Sequence, residues 1–167
     1  MIYGSPAPPD PVDQGDLIEG CPALHVREFR FGQAETFEID WESRRVIILT
    51  QTCDLVQEKI TSANVAEVFD ARQLVDNNIL KPADVKGPLR SGRIWGLYFL
   101  PADASLGLNE MIVDLRRLHT VRLDLPRELC RAGKRRARLH TPYREHFAKH
   151  FADTFSRIGL PRPYETL

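Results

Sequence analysis

The chain has 167 residues, 43% of them hydrophobic, and its formal net charge is zero, so it can bury the core of one domain without a metal or disulfide. It has no apolar run near the roughly 20 residues of a membrane span and no secretory pattern at its start, so we expect a cytosolic protein. Three widely spaced cysteines, Cys21, Cys53 and Cys130, predict reduced thiols and exclude a disulfide framework or a paired zinc motif.

The first half of the chain predicts strands. The Pro-rich segment 1–14 lacks periodicity, so we predict a mobile or extended lead-in before a single globular domain formed by residues 15–167. Residues 26–31 and 36–41 alternate polar with apolar side chains, which predicts a hairpin with one buried face. The β-branched run within residues 44–51 predicts a further strand, buried on both faces.

The second half predicts strands and helices. Residues 64–69 and 93–100 have strand character, and residues 71–80 fit a short helix. Residues 110–123 mix periods, but their Val and Thr content favours a strand. The clearest helix is predicted over residues 142–158, where phenylalanines recur at helical spacing. We therefore predict an α+β domain in which a bent antiparallel sheet or a small SH3-like barrel is closed by this amphipathic helix.

The polar groups that follow the buried run 46–49 form the first candidate site, because a rigid strand positions the side chains at its end. Cys53 could serve as a nucleophile if His119, the best candidate base, lies beside it. The adjacent carboxylate of Asp54 opposes thiolate formation. The alternative is that Cys53 is a small buried residue in a capped turn.

The same region suits a second chemistry. Asp54 could act as a general base beside a sugar hydroxyl while Arg116, Arg117 or His119 stabilises phosphate charge, which is an arrangement for RNA cleavage without a metal. The alternative is that Asp54 caps a turn or a helix. The predicted catalytic residues are Cys53, Asp54, His119 and Arg116, and the predicted binding residues are Gln51, Thr52, Arg117, Arg135, Arg136, Arg138 and Arg144.

Charge is distributed unevenly along the chain. Residues 1–114 carry 10 Lys/Arg and 18 Asp/Glu, whereas residues 115–167 carry 13 and 5. The basic segment 127–144 could attract phosphates. The alternative is that this basic part docks against the acidic part of its own fold or of a second subunit.

No metal or cofactor is predicted. His146 and His150 lie four residues apart on the predicted helix, but the HExxH spacing is absent, so we expect them beside the apolar stripe. Zinc held by Cys21, Cys53 and a histidine stays an alternative. Glycine-rich phosphate loops and the GxSxG motif are also absent, which disfavours nucleotide-cofactor chemistry.

Several segments together resemble a family of uncharacterised bacterial proteins of about this length. These segments are GDLIEGCP (15–22), ILTQTCDL (48–55), WGLYFLP (95–101), VDLRRLHT (113–120) and ARLHTPYRE (137–145). This resemblance implies a bacterial cytosolic protein and brings no established activity. The strand followed by a polar turn also resembles the small barrels of the MazF/PemK toxin class, which implies an SH3-like sheet and helix that cleave RNA without a metal.

Three functions stay open from the sequence. The first is a cytosolic nucleic-acid-associated module, such as a toxin or phage-defence component that acts on RNA without a metal. The second is a non-enzymatic interaction or assembly protein that meets a larger partner, or a second copy of itself, through complementary acidic and basic surfaces. The third is a Cys-dependent hydrolase or transferase. No membrane partner is expected.

Overall fold

The computed structural model describes residues 1–28, 38–56 and 60–156. Within these residues, seven strands form one sheet in which every hydrogen-bonded pair is antiparallel. The strands are β1 (Tyr3–Gly4), β2 (Asp16–Glu28), β3 (Glu38–Ile48), β4 (Ser62–Asp70), β5 (Leu97–Leu100), β6 (Met111–Arg122) and β7 (Arg135–Leu139). The helices are α1 (Thr52–Val56), α2 (Ala71–Asp76), α3 (Pro82–Asp84), α4 (Asp124–Arg131) and α5 (Tyr143–Phe155), with a π-helical turn at Val85–Leu89 and a 3-10 turn at Ala104–Leu106.

The strand order is β1-β7-β2-β3-β4-β6-β5, so β1 and β5 are the two edges. The predicted α+β class, with an antiparallel sheet and a C-terminal helix, is confirmed. The alternative of a small closed barrel is not realised, because no pairing joins β1 to β5 in the part of the chain that the structure describes.

Strands β2 and β3 form the predicted hairpin, with Val26 opposite Ile39, while its turn lies outside the described residues. The expectation that a separate strand begins near Arg44 is wrong. Strand β3 runs without interruption from Glu38 to Ile48, because the polar residues between the two predicted strands also pair with β2, as Ser43 does with Pro22.

Most other predicted elements are present with changed ends. Strands β4 and β6, and helix α2, fall within or close to the predicted ranges, and α5 covers most of 142–158, the last residues of which are outside the described part. Strand β5 begins only at Leu97, because Gly96 has a φ of 79°. Among the described helices, none is both long enough and apolar enough to cross a bilayer.

Alternation along β4 sorts its side chains onto two faces of the sheet. Ala66 and Val68 join the apolar cluster that contains Phe147 of α5, so α5 covers this face. Val65 lies on the opposite face in a second cluster with residues of α1 and α4. Phe69, on the same face as Val65, lines a cleft together with Ile112, which belongs to a third cluster near α2. This second face is therefore covered in two separate places along β4.

Residues 1–14 pack against the sheet, although the sequence predicts that they precede the domain. Tyr3 lies opposite Leu139 in the β1–β7 pair, is buried, and donates a hydrogen bond from its hydroxyl to the Pro101 carbonyl at 2.8 Å. Val12 is also buried, in the α4-facing cluster. The lead-in thus contributes a strand and core side chains.

Candidate functional site

A buried carboxylate occupies the gap between the two covered parts of the second face. Glu67 lies on β4 between Val65 and Phe69, which point to the same face, and is only 1% exposed. The ring Nε2 of His119 lies 2.8 Å from Glu67 Oε1, whereas Oε2 has no hydrogen-bond partner. Because a buried charge is costly unless it is paired, Glu67 depends on the cations around it.

Those cations come from the neighbouring strands. The Nε atom of Arg44 on β3 is 3.8 Å from Glu67 Oε2, and Nη1 of Arg117 on β6 is 3.6 Å from it. Arg117 also lies 3.9 Å from Asp114, the residue opposite Glu67 in the β4–β6 pair. These distances give ion pairs longer than hydrogen bonds. We call Arg44, Glu67, Asp114, Arg117 and His119 the Glu67 cluster.

A bulge in β6 places the arginines at this position. Ala66 pairs with Leu118 and Glu67 pairs with Asp114, so residues 115–117 are extra in the register. Bulges of this kind redirect side chains and recur beside functional sites. Arg116 makes a bidentate contact with Asp114, with Nε 2.8 Å from Oδ1 and Nη2 2.9 Å from Oδ2.

The close approach of β5 to this bulge requires a glycine. Gly96 has a positive φ, and a Cβ added there would lie 3.0 Å from the Cδ of Arg116. Its carbonyl accepts a hydrogen bond from the backbone N–H of Leu115 at 2.8 Å. A larger residue at this position would push Arg116 away from its observed place.

The arginines line a cleft of about 290 Å³. Three basic side chains, Arg44, Arg116 and Arg117, line one part of it together with the single lining acid, Asp114. The Arg117 guanidinium also lies over the ring of Phe69, 5.4 Å from its centroid. The remaining lining is apolar side chains and two amides, namely Phe69, Leu74, Ile79, Leu80, Leu97, Ile112, Gln73 and Asn77. The cleft therefore has an apolar part and a charged part, in which the arginines are paired with Asp114, Glu67 and Glu42.

The residues predicted at the end of the buried run begin α1. Gln51, Cys53 and Asp54 are exposed, and Thr52 donates a hydrogen bond from its hydroxyl to Asp13. The Cys53 sulfur is 3.7 Å from Gln51 Oε1 and 3.8 Å from Asp54 Oδ1. The rim is thus accessible, as expected, but Cys53 is not the buried residue of the alternative.

The structure separates the predicted catalytic groups into two places. The contacts of Cys53 are with its sequence neighbours, whereas His119 is bonded to Glu67. Helix α1 begins beyond Ile48, the last residue of β3. Arg44, which lines the cleft, lies earlier on β3, on the other side of Val46, the residue opposite Glu67. Of the predicted site, the structure brings together His119, Arg116 and Arg117.

Three arginines of the basic segment are paired within the fold, whereas Arg131, Lys134 and Arg136 are exposed. Asp16 is fully buried, and its carboxylate accepts hydrogen bonds from Nη1 of Arg135 at 3.1 Å and from Nε of Arg138 at 2.6 Å. Nη1 of Arg144 is 3.3 Å from Asp13. We call Asp13, Asp16, Arg135, Arg138 and Arg144 the Asp16 cluster. They match the alternative in which the basic part docks against acids of its own fold.

The phosphate-binding roles predicted for Arg135 and Arg138 do not fit this geometry. The Arg135 side chain is 2% exposed, and its guanidinium also donates to the carbonyls of Ala7, Asp10 and Pro11. Its donors are directed into the fold and not towards solvent. Arg136 is exposed and lies 3.6 Å from Glu19.

The two other cysteines are buried, and burial raises the pKa of the Cys21 and Cys130 thiols to about 11. Both are therefore protonated at neutral pH, which opposes metal binding through a thiolate. No group of three His, Cys, Asp or Glu side chains is placed to hold a metal ion among residues 1–28, 38–56 and 60–156.

Sequence reasoning did not name Arg44, Glu67 or Asp114. A signal for Glu67 was available, because it is an acid in phase with Val65 and Phe69 in an otherwise apolar strand. Such an acid, buried by its phase, needs a cationic partner. No comparable signal identifies Arg44, since an arginine near a strand end is usually solvated.

Comparisons of the chain with family models, with curated proteins and with solved structures find no match. The resemblances to the bacterial family and to the MazF/PemK class therefore stay predictions.

Proposed function

We propose that this protein is a nucleic-acid-associated module of the bacterial cytosol, and that it binds RNA phosphates at the cleft beside the Glu67 cluster. The observation that carries the proposal is the convergence of Arg44, Arg116 and Arg117 on one cleft. Their side chains are 32%, 63% and 54% exposed, so each is accessible to a ligand.

The donors of these arginines support the proposal. A guanidinium has five N–H donors, and the bidentate contact with Asp114 uses only Nε and Nη2 of Arg116. The ion pairs of Arg117 with Glu67 and Asp114 are 3.6 and 3.9 Å long. Because these distances exceed those of hydrogen bonds, the guanidinium can still donate a shorter bond to a ligand. Arginine is suited to phosphate because its planar fork matches two phosphate oxygens at once.

The contrast with the Asp16 cluster supports the same assignment. Arg135 and Arg138 are held by Asp16 and by main-chain carbonyls, so few of their donors are left for a ligand. The nucleic-acid hypothesis therefore moves from segment 127–144 to the bulge of β6.

A salt series with a fluorescent single-stranded RNA tests the proposal. We expect the affinity to fall steeply with salt, because phosphate contacts release counterions. Arg117→Ala should weaken binding about tenfold and reduce the slope of log affinity against log salt by about 0.7. The matched control is Arg122→Ala, which removes the same charge from the same strand, at a side chain that is 83% exposed and paired with Asp124.

Two results would contradict the proposal. One is binding that does not change with salt, and the other is an equal loss for Arg117→Ala and Arg122→Ala. The same reactions, run with a chelator, also test the predicted metal-independent cleavage. If RNA is bound but stays intact, the protein binds RNA and does not cleave it.

A second candidate, an assembly protein, is favoured by one observation. Beyond the residues that pair with β4 and β7, strands β2 and β3 continue as a two-stranded ribbon. Leu24, Ile39 and Trp41 are exposed on it and share one face of the pairing, an unusual apolar surface for an isolated protein. A chain that stays monomeric at every concentration in solution, by light scattering, would remove self-assembly as the explanation.

A further inference from the structure

The proposed RNA phosphates account for only part of the cleft. Beside the three arginines, the cleft has an apolar part formed by Phe69, Ile112 and residues that follow α2. One of these, Ile79, is a large side chain that stays exposed to solvent. A phosphate gains nothing from apolar contacts, so this part fits a different portion of the ligand.

Two amides border the apolar part. Gln73 and Asn77 lie four residues apart, on α2 and at its C-cap, so their side chains leave the same face of the helix. Both are exposed, and neither side-chain amide is hydrogen-bonded in the described ranges. Each amide has both a donor and an acceptor, which is the pattern that the N6 and N7 edge of adenine complements.

Size and charge limit the occupant. A volume of about 290 Å³ is at the lower end of ligand pockets, so the cleft accommodates one small group and excludes a duplex. Three partly exposed guanidinium groups that line the same cleft can donate to an anionic end on that group. A flat polar-edged ring joined to a phosphate has both properties.

We propose that the cleft holds one adenine nucleotide, with its phosphate on Arg116 and Arg117, its base in the apolar part, and the base edge read by Gln73 and Asn77. This inference rests on the proposed RNA binding, and it adds base selectivity. The nucleotide is either a free mononucleotide or one residue of a single strand, and the chemistry that recognises it is the same.

Two sets of probes separate these sources. The free set is AMP, UMP and ribose 5-phosphate, and the strand set is oligoadenylate, oligouridylate and an abasic oligomer of equal length. We expect adenine-containing probes to bind about tenfold more tightly than the uracil or base-free probes, because a bidentate amide contact discriminates by about this factor. If only the strand set shows this preference, the base is read within RNA.

The variant that removes the reading groups is Gln73→Ala combined with Asn77→Ala. We expect it to abolish the preference for adenine while salt-dependent binding of oligouridylate is retained. The matched control is Asn64→Ala, which removes an exposed amide on β4, outside the cleft. It should leave the preference unchanged.

The outcomes distinguish the two proposals. Equal binding of adenine, uracil and base-free probes, with a steep salt dependence that Arg117→Ala weakens, overturns the inference and leaves RNA binding in place. An adenine preference that survives the double variant also overturns the inference. Failure of every probe to bind overturns the proposed function itself.

Discussion

Two buried carboxylates in this molecule, Asp16 and Glu67, are each surrounded by arginines, but these arginines differ in their exposure. Arg135 beside Asp16 is 2% exposed, whereas Arg117 beside Glu67 is 54% exposed. The Asp16 cluster joins the lead-in to β7, and the Glu67 cluster opens into a cleft. A carboxylate paired with arginines thus stabilises the fold in the Asp16 cluster, whereas in the Glu67 cluster it borders a cleft.

The difference follows from what else the arginines bond to. In the Asp16 cluster, carbonyls of the lead-in accept hydrogen bonds from both Nη atoms of Arg135, and Arg138 makes bonds of 2.6 and 2.8 Å to Asp16. In the Glu67 cluster, Oε2 has no hydrogen bond and its ion pairs are 3.6 and 3.8 Å long. The number of arginines is therefore a poor guide to ligand binding. What matters is how many of their N–H donors are already hydrogen-bonded within the protein.

The largest expected effect comes from removing a buried partner. Arg135→Ala removes one cationic partner of the buried Asp16, and it also removes the hydrogen bonds to the carbonyls of residues 7–11. We therefore expect a loss of about 3–5 kcal/mol in the free energy of unfolding. Arg117→Ala should cost less, because Arg117 is half exposed and Glu67 keeps Arg44 and His119 as partners. Urea denaturation of both variants measures the difference. A larger loss for Arg117→Ala would reverse our assignment of the two clusters.

A smaller effect is expected from neutralising the carboxylate of the cleft. Glu67→Gln keeps the side-chain shape and a polar atom for His119, but removes a negative charge next to Arg44 and Arg117. If these arginines bind phosphate, RNA affinity should rise about fivefold, which corresponds to about 1 kcal/mol. Anisotropy titration measures it, and Asp124→Asn, which neutralises an exposed acid paired with Arg122, is the control. Weaker RNA binding by Glu67→Gln would mean that the carboxylate itself contacts the ligand.

The parts of this arrangement that depend on local pattern could be predicted from the sequence. Helical spacing predicts α5, Val and Thr content predicts β6, and Arg116, Arg117 and His119 are predicted as groups that stabilise phosphate charge. Nothing local identifies the bulge at 115–117, which is set by how β6 pairs with both β4 and β5.

The prediction that the basic segment 127–144 attracts phosphates fails at Arg135 and Arg138 for a different reason. The partners of these two arginines lie more than 110 residues away in the chain, as in the bond between Arg138 and Asp16. Segment 127–144 looks like a free basic surface when only its own residues are considered. Three of its arginines are compensated by Asp16 of β2 and by Asp13 of the lead-in, which the sequence, through its prolines and lack of periodicity, presents as separate from the fold.

The smallest expected effect is local and is read from cysteine reactivity. Cys130 is buried near the Asp16 cluster, where burial raises its thiol pKa to about 11, whereas Cys53 is exposed on α1. Iodoacetamide at pH 7.5, followed by mass spectrometry, should therefore modify Cys53 well before Cys130. In Arg135→Ala we expect Cys130 to react several-fold faster, because the lead-in opens locally, whereas Arg117→Ala should leave it protected. If Cys130 stays protected in Arg135→Ala although its unfolding free energy falls, the cluster stabilises the whole fold and does not hold the lead-in as a separate unit.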